Sequence, residues 1–148
     1  MEDAWTVDSL LERIANAGAP ESPRYAAFPR LHSLIDTGAL ITGLSNLQVA
    51  RRLLDVGLSW CDGVVFLDEL DRKMILLRKT GRVVRLEISG VPAAKRFAFY
   101  DQVHTTGMDI KHFDAAVAAL TLGKDSKQGI IASFFPQNPP LAFIFVFS

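Results

Sequence analysis

The chain has 148 residues, of which 49% are hydrophobic and 22% charged, which fits one globular domain and excludes wholesale disorder. Its 16 basic and 16 acidic residues cancel, so no global field attracts nucleic acid or an anionic membrane. The single cysteine, Cys61, excludes an internal disulfide framework, and no apolar run approaches the roughly 20 residues of a membrane helix. We expect a cytoplasmic or nuclear domain.

Two amphipathic helices are predicted in the first 60 residues. The first covers residues 7–14, where apolar side chains recur at helical spacing after Thr6, a suitable N-cap. The second runs from Ser45 to Gly57, because Ser45 and Gln48 form a capping box and Gly57 offers a left-handed end. The side chains expected to face the core from this helix are Leu47, Ala50 and Leu54.

The remaining elements are predicted to be strands of one mixed α/β sheet. Candidate strands cover residues 31–35, 64–67, 74–78, 82–86, 97–100 and 115–122. Thr80 and Gly81 predict a hairpin turn, and the wholly apolar segment 64–67 predicts a sheet covered on both faces. Residues 141–147 combine β propensity with no charge, which is typical either of an aggregation-prone tail or of a last strand.

A polar loop follows the apolar strand 97–100 and is the main candidate for a ligand site. Ligands of open α/β sheets bind beyond the carboxyl ends of strands, and Asp101 stands at that position. The loop continues with His104, Thr105, Thr106 and Asp109. The threonine hydroxyls and Asp109 could contact a phosphate, a ribose or a metal-bound water, and Gly107 allows close backbone approach.

Two other constellations have simpler structural explanations. Residues 64–69 resemble a Walker B strand ending in Asp68 and Glu69, but the chain has no phosphate-binding loop of the Gly-x-x-x-x-Gly-Lys-Ser/Thr type, so a solvated turn is the better interpretation. The histidines show no metal-ligand spacing, and no metal site is predicted.

A thiol hydrolase is a further possibility, with Cys61 as nucleophile, His104 as base and Asp101 as the group that orients the base. Cys61 precedes the strand at Val64, whereas His104 and Asp101 follow the strand at Phe97. If these strands are parallel, the thiol and its base lie at opposite sheet edges, about 15 Å apart for five residues. Only antiparallel strands would bring them together.

Residues 99–110 and 119–125 resemble a block near the end of very large eukaryotic proteins with a helicase-like region, which often carry the label ubiquitinyl hydrolase by similarity. Supporting stretches are residues 34–41, 63–68 and 71–76. The resemblance implies a fold like the second RecA-like lobe of superfamily-two helicases. It implies a nucleotide site at Thr105, Thr106, Gly107 and Asp109, with ATP as ligand of the full-length relative.

The sequence departs from that family pattern at two places. Thr106 stands where many relatives have an arginine, and the segment after Asp125 replaces a helix with paired arginines that implies an arginine finger. We therefore expect a lobe that is incomplete at its C-terminus, from a truncated, alternatively spliced or mis-predicted gene product. We expect no ATP hydrolysis by this chain alone. The expected organisation is a helix and loop at 1–30, the lobe at 31–125 and a divergent hydrophobic tail at 126–148.

Three functions remain open from the sequence. The first is a module that binds a nucleotide or a partner lobe within a larger helicase-like protein, without a cofactor of its own when isolated. The second is a thiol-dependent ubiquitinyl hydrolase, with ubiquitin as partner. The third is an interaction module whose polar loop is only structural. No membrane partner is expected, and nucleic acid is not expected for this chain.

Overall fold

The computed structural model describes residues 6–21, 30–36, 39–101, 117–122 and 142–147. In chain order the elements are α1 (Val7–Asn16), β1 (Ser33–Ile35), α2 (Asn46–Val56), β2 (Gly63–Leu67), β3 (Lys73–Leu77), β4 (Val83–Arg85), two 3₁₀ turns (Leu86–Ile88 and Ala93–Lys95), β5 (Arg96–Tyr100), β6 (Val117–Leu122) and β7 (Ala142–Phe147). In the described part of the chain, no helix is both long and apolar enough to cross a membrane.

The strands form one mixed, mainly parallel sheet in the order β4-β3-β2-β5-β1-β6-β7. The five strands β2, β5, β1, β6 and β7 are mutually parallel. Strands β3 and β4 form an antiparallel hairpin beside β2. The predicted α/β class and the predicted hairpin are thus confirmed, and residues 142–147 take the alternative of a last strand, paired with β6.

Helix α2 packs on one face of the sheet, and α1 packs against α2 on the same side. The core between them includes Leu11, Ile14, Leu34, Val49, Leu53, Val64, Phe97 and Phe99. The opposite face is buried too, with Ile35, Val65 and Ile75 all at most 3% exposed. Burial on both faces accounts for the uninterrupted apolar sequence of β2, because alternating polar residues would be left without water.

The helix ends follow the predicted caps at their N-termini. Thr6 accepts a hydrogen bond from the Ser9 N–H at 3.0 Å. Ser45 and Gln48 form the predicted reciprocal capping box. Such caps satisfy backbone donors that the first helical turn leaves without partners, each stabilising by about 1 kcal/mol.

Helix α2 differs from the prediction in two of its three expected core residues and in the residue that ends it, whereas Ala50 is buried as predicted. The fully buried residues are Val49, Ala50 and Leu53, while Leu47 and Leu54 are half-buried. Gly57 has φ 177°, an extended conformation, and it is Leu58 that takes the left-handed one at φ 57°. A Cβ at Gly57 would lie 2.8 Å from Asn16 Oδ1, so the glycine is required for the close approach of α1.

Candidate functional site

A crevice opens where the carboxyl ends of β1 and β5 lie side by side. The chain leaves β1 towards β2, and it leaves β5 towards β6, which lies on the other side of β1. Such a reversal between neighbouring parallel strands is a topological switch point, the usual place of ligand binding in open α/β sheets. The crevice has a volume of about 250 Å³, and its described lining comprises Asp36, Ala39, Ile41, Thr42, Leu44, Asn46, Val49, Phe99 and Asp101.

Asp36 is the buried polar centre of this crevice. It directly follows β1 and is 2% exposed. Its carboxylate accepts hydrogen bonds from the N–H groups of Leu40 at 2.9 Å and Ile41 at 3.0 Å. The hydroxyl of Thr121, on β6, also donates to Asp36. These charge-assisted bonds compensate the desolvation of the carboxylate and hold the loop after β1 around it.

Asp101 lies beside Asp36 on the lip of the crevice. Ile35 pairs with Tyr100 in the sheet register, and the Asp36 N–H bonds to the Tyr100 carbonyl at 2.9 Å. The two aspartates therefore leave neighbouring strands at the same level, Asp36 buried and Asp101 half-exposed. The described lining residues supply two carboxylates and no cation.

The first turn of α2 forms one wall of the crevice. Asn46 donates from Nδ2 to the Leu67 carbonyl at 3.0 Å, which ties this turn to the carboxyl end of β2. The N-terminus of α2 thus lies at the same sheet edge as Asp36 and Asp101. Ala39, in the loop opposite, has φ 53°, a conformation that is uncommon for a residue with a Cβ.

The loop predicted to bind a nucleotide begins at this crevice. Asp101 is the last described residue before it, whereas His104, Thr105, Thr106, Gly107 and Asp109 lie outside the described residues. The sequence-predicted position of Asp101 at the carboxyl end of a buried strand agrees with the structure. Among the described residues, no group of three or more side chains suited to hold a metal ion occurs.

Cys61 lies far from the crevice. It precedes β2, which runs parallel to β5 with Gly63 paired to Arg96, so Cys61 and Asp101 are at opposite edges of the sheet. The thiol is 1% exposed. Burial raises the pKa of Cys61, against a smaller opposing effect of Arg78, so the protonated, weakly nucleophilic form is favoured. The described residues do not bring Cys61 and Asp101 together, and the position of His104 is not described.

Asp68, the first carboxylate of the Walker-like segment, organises a turn. Its Oδ1 accepts the N–H groups of Leu70 and Arg72, both at 2.9 Å, and its Oδ2 accepts the Arg72 Nε–H at 2.7 Å. Desolvation opposes these bonds, yet together they hold the pKa of Asp68 below its ordinary value. This geometry agrees with the interpretation of residues 68–72 as a turn between β2 and β3.

The sequence reasoning missed Asp36 and Thr121 as site residues. Asp36 has the signal that singled out Asp101, an aspartate directly after an apolar strand. Thr121 carried no such signal, because its contact with Asp36 joins residues 85 positions apart. Comparison of the chain with protein-family models, with curated proteins and with solved structures gave no match in any of the three.

Proposed function

We propose that this chain is a nucleotide-binding module of a larger helicase-like protein, without nucleotide turnover of its own. The observation that carries the proposal is the crevice at the switch point, with Asp36 and Asp101 at its base and lip. The segment that the sequence predicts to contact a nucleotide, which includes Thr105 and Asp109, follows Asp101 in the chain. The remainder of the larger protein, or a partner lobe, would be the binding partner of the module, in the cytoplasm or nucleus.

The chemistry of the crevice favours a nucleotide that arrives with Mg²⁺. A ligand with bare phosphates would be repelled by two carboxylates, since the described lining residues offer no cation to compensate. Mg²⁺ is commonly held by one or two carboxylates together with substrate phosphates. Asp101 is half-exposed and is therefore suited to accept a hydrogen bond from a metal-bound water. The buried Asp36 is suited to hold the loop at Leu40 and Ile41 around the ligand.

Two further features support binding at this edge. The N-terminus of α2 directs its positive dipole end towards the crevice, which favours phosphate oxygens. The backbone of Ala39, close to Asp36, has a left-handed conformation that costs about 1 kcal/mol. Residues with such strained backbone conformations cluster at ligand sites. Turnover is not expected, because the sequence lacks both a phosphate-binding lysine loop and any arginine after Arg96.

Titration of the full chain with a fluorescent adenine nucleotide and Mg²⁺, followed by anisotropy, tests this proposal. Asp101→Asn removes a carboxylate from the lip of the crevice and is expected to weaken binding about tenfold. Asp62→Asn is the matched control, because Asp62 is exposed at the opposite edge, before β2. Equal affinities of the two variants, or no binding by the wild type, would reject the proposal.

The ubiquitinyl hydrolase alternative rests on the resemblance and on the presence of Cys61, His104 and Asp101 in the sequence, and the burial of Cys61 weighs against it. Reaction with a ubiquitin C-terminal electrophile separates the two functions. The nucleotide-binding proposal predicts no covalent labelling of folded wild-type protein. Labelling that is lost in Cys61→Ala would replace the proposal with a thiol hydrolase.

A further inference from the structure

Two exposed features at opposite ends of β3 carry opposite net charge. Residues 68–72 have three carboxylates and one arginine, whereas the lining of a pocket at the other end has two arginines and one aspartate. The first is the acidic turn, defined as residues 68–72, which joins β2 to β3. The Leu70 side chain is 71% exposed, and its neighbours in the sequence, Glu69 and Asp71, are exposed as well. The second is the arginine-rimmed pocket, which lies at the other end of β3, beside α2.

The acidic turn holds Leu70 in a fixed position. The Asp68 carboxylate accepts the Leu70 and Arg72 N–H groups, both at 2.9 Å, and Asp71 closes the turn with φ 61°. An apolar side chain on a preorganised turn loses little conformational entropy when it is buried in a partner.

The arginine-rimmed pocket lies between α2 and the β3–β4 turn and has a volume of about 140 Å³. Its lining residues are Arg51, Leu54, Asp55, Leu76, Leu77, Arg78 and Gly81. A cavity of about 150 Å³ takes up benzene, so a leucine side chain fits this pocket. Arg51 is exposed on its rim and has no ion-pair partner among the described residues.

Opposite charges predominate at the two ends of the sheet without being fully separated, although the net charge of the chain is zero. The cations at the amino ends of the parallel strands are Arg30, Arg78, Lys79, Arg82, Lys95 and Arg96, against the acids Asp55 and Asp62 at the same end. The acids at their carboxyl ends are Asp36, Asp68, Glu69, Asp71, Glu87 and Asp101, and the cations at the same end are Arg72, Lys73 and Arg85. Arg72 pairs with Asp68 and Arg85 with Glu87, so Glu69 and Asp71 are the acids of the turn that carry its excess negative charge. The dipole of α2 accounts for Arg78 at its C-terminus, but it does not account for Lys79, Arg82 or Lys95.

We propose that the chain associates with a second copy of itself, the acidic turn of one copy docking in the arginine-rimmed pocket of the next. Leu70 would fill the apolar part of the pocket, with Glu69 and Asp71 beside Arg51. Since turn and pocket lie at opposite ends of one strand, the contact is heterologous and extends into an open array rather than closing at two copies. This proposal does not depend on nucleotide binding.

Sedimentation velocity over a range of protein concentrations tests the contact. The expected result for the wild type is an average mass that rises past two copies and falls when salt shortens the Debye length from about 10 Å towards 3 Å. Leu70→Ser is expected to weaken association about tenfold or more, the effect of leaving one leucine unburied. Ile88→Ser, with a side chain 73% exposed, is the matched control and is expected to behave as wild type.

A charge exchange tests the pairing itself. Glu69→Arg and Arg51→Glu are each expected to weaken self-association, and an equimolar mixture of the two variants to restore it. The proposal would be overturned by a wild type that stays monomeric, or by a Leu70→Ser variant that associates as strongly as the wild type. It would also be overturned if the mixture of the two charge variants associates no more strongly than each variant alone. Salt-resistant association that stops at two copies would overturn it as well and would point to pairing of β7 edges.

Discussion

The Thr121 hydroxyl donates a hydrogen bond to the Asp36 carboxylate, which joins β6 to the end of β1 inside the buried part of the crevice. Thr121→Val keeps the shape of the side chain and removes the donor. We expect this variant to lose about 1–3 kcal/mol of unfolding free energy, because a buried carboxylate loses a partner. Urea denaturation measures the loss, with Thr42→Val, an exposed threonine of the same crevice, as the control that should change little.

Asp36→Asn is expected to be more destabilising than Thr121→Val. Both carboxylate oxygens of Asp36 accept hydrogen bonds from backbone N–H groups. In Asp36→Asn, the side-chain NH₂ group would have to face one of these N–H groups, so that two donors would meet without an acceptor. The same urea experiment ranks the two variants. A larger loss in Thr121→Val would show that the loop at Leu40 and Ile41 does not depend on the carboxylate.

Arg78 clamps the loop between α2 and β2 to the end of β3. Its guanidinium donates to the carbonyls of Leu54, Gly57, Leu58 and Cys61, which include orphan acceptors of the helix C-terminus. Arg78→Ala is expected to lose about 1–2 kcal/mol of unfolding free energy. Arg78→Lys should recover only part of it, because an ammonium cannot reproduce the fork.

Arg82→Ala serves as the control for the clamp. Arg82 is exposed four residues further along the same turn, and no side-chain hydrogen bond of Arg82 appears among the described residues. Equal stability of Arg78→Ala and Arg82→Ala would show that the hydrogen bonds of the Arg78 guanidinium do not stabilise the fold.

Stability should depend on pH through His32. The Val117 N–H donates to His32 Nδ1 at 3.1 Å, which requires the neutral ring. Desolvation, with a smaller effect of Arg30, holds the pKa of His32 below 6.5. The unfolded chain therefore takes up the proton first, and the stabilisation present above about pH 6.5 is lost as the pH falls through the lower folded value.

His32→Asn keeps an acceptor without titrating, so it is the reference for that prediction. As the pH falls from 7.5 to about 5, the difference between the urea midpoints of the wild type and the variant is expected to shrink. Other ionisable groups contribute equally to both proteins and cancel in the comparison. A constant difference across this range would mean that His32 does not carry the pH dependence.

Much of the fold was predictable because its signals are local. The capping box of Ser45 and Gln48 and the apolar run of β2 are short-range patterns, and both predictions are confirmed. The role of Gly57 was not predictable, since its reason is the approach of Asn16 and Ala15 from another helix. We expect Gly57→Ala to lose about 1–3 kcal/mol through this crowding, measured by urea denaturation. A neutral effect would mean that α1 can move away.

The candidate site was predictable in part for the same reason. Asp101 follows an apolar strand, a signal within a few residues. Strand order depends on packing across the whole chain, so the central position of β1, which brings Asp36 beside Asp101, could not be obtained from local patterns. The parallel pairing of β2 and β5 also depends on packing across the whole chain. The sequence could therefore predict the separation of Cys61 from Asp101 only on the condition that these strands are parallel.

Photolabelling with an azido-adenine nucleotide and Mg²⁺, followed by peptide mapping, tests most directly whether the crevice binds a nucleotide. The account predicts label on peptides that contain residues 39–49 or Asp101, competed by unlabelled nucleotide and reduced in Asp101→Asn. Competable label confined to the opposite edge, at residues 57–62 or 78–82, would contradict it.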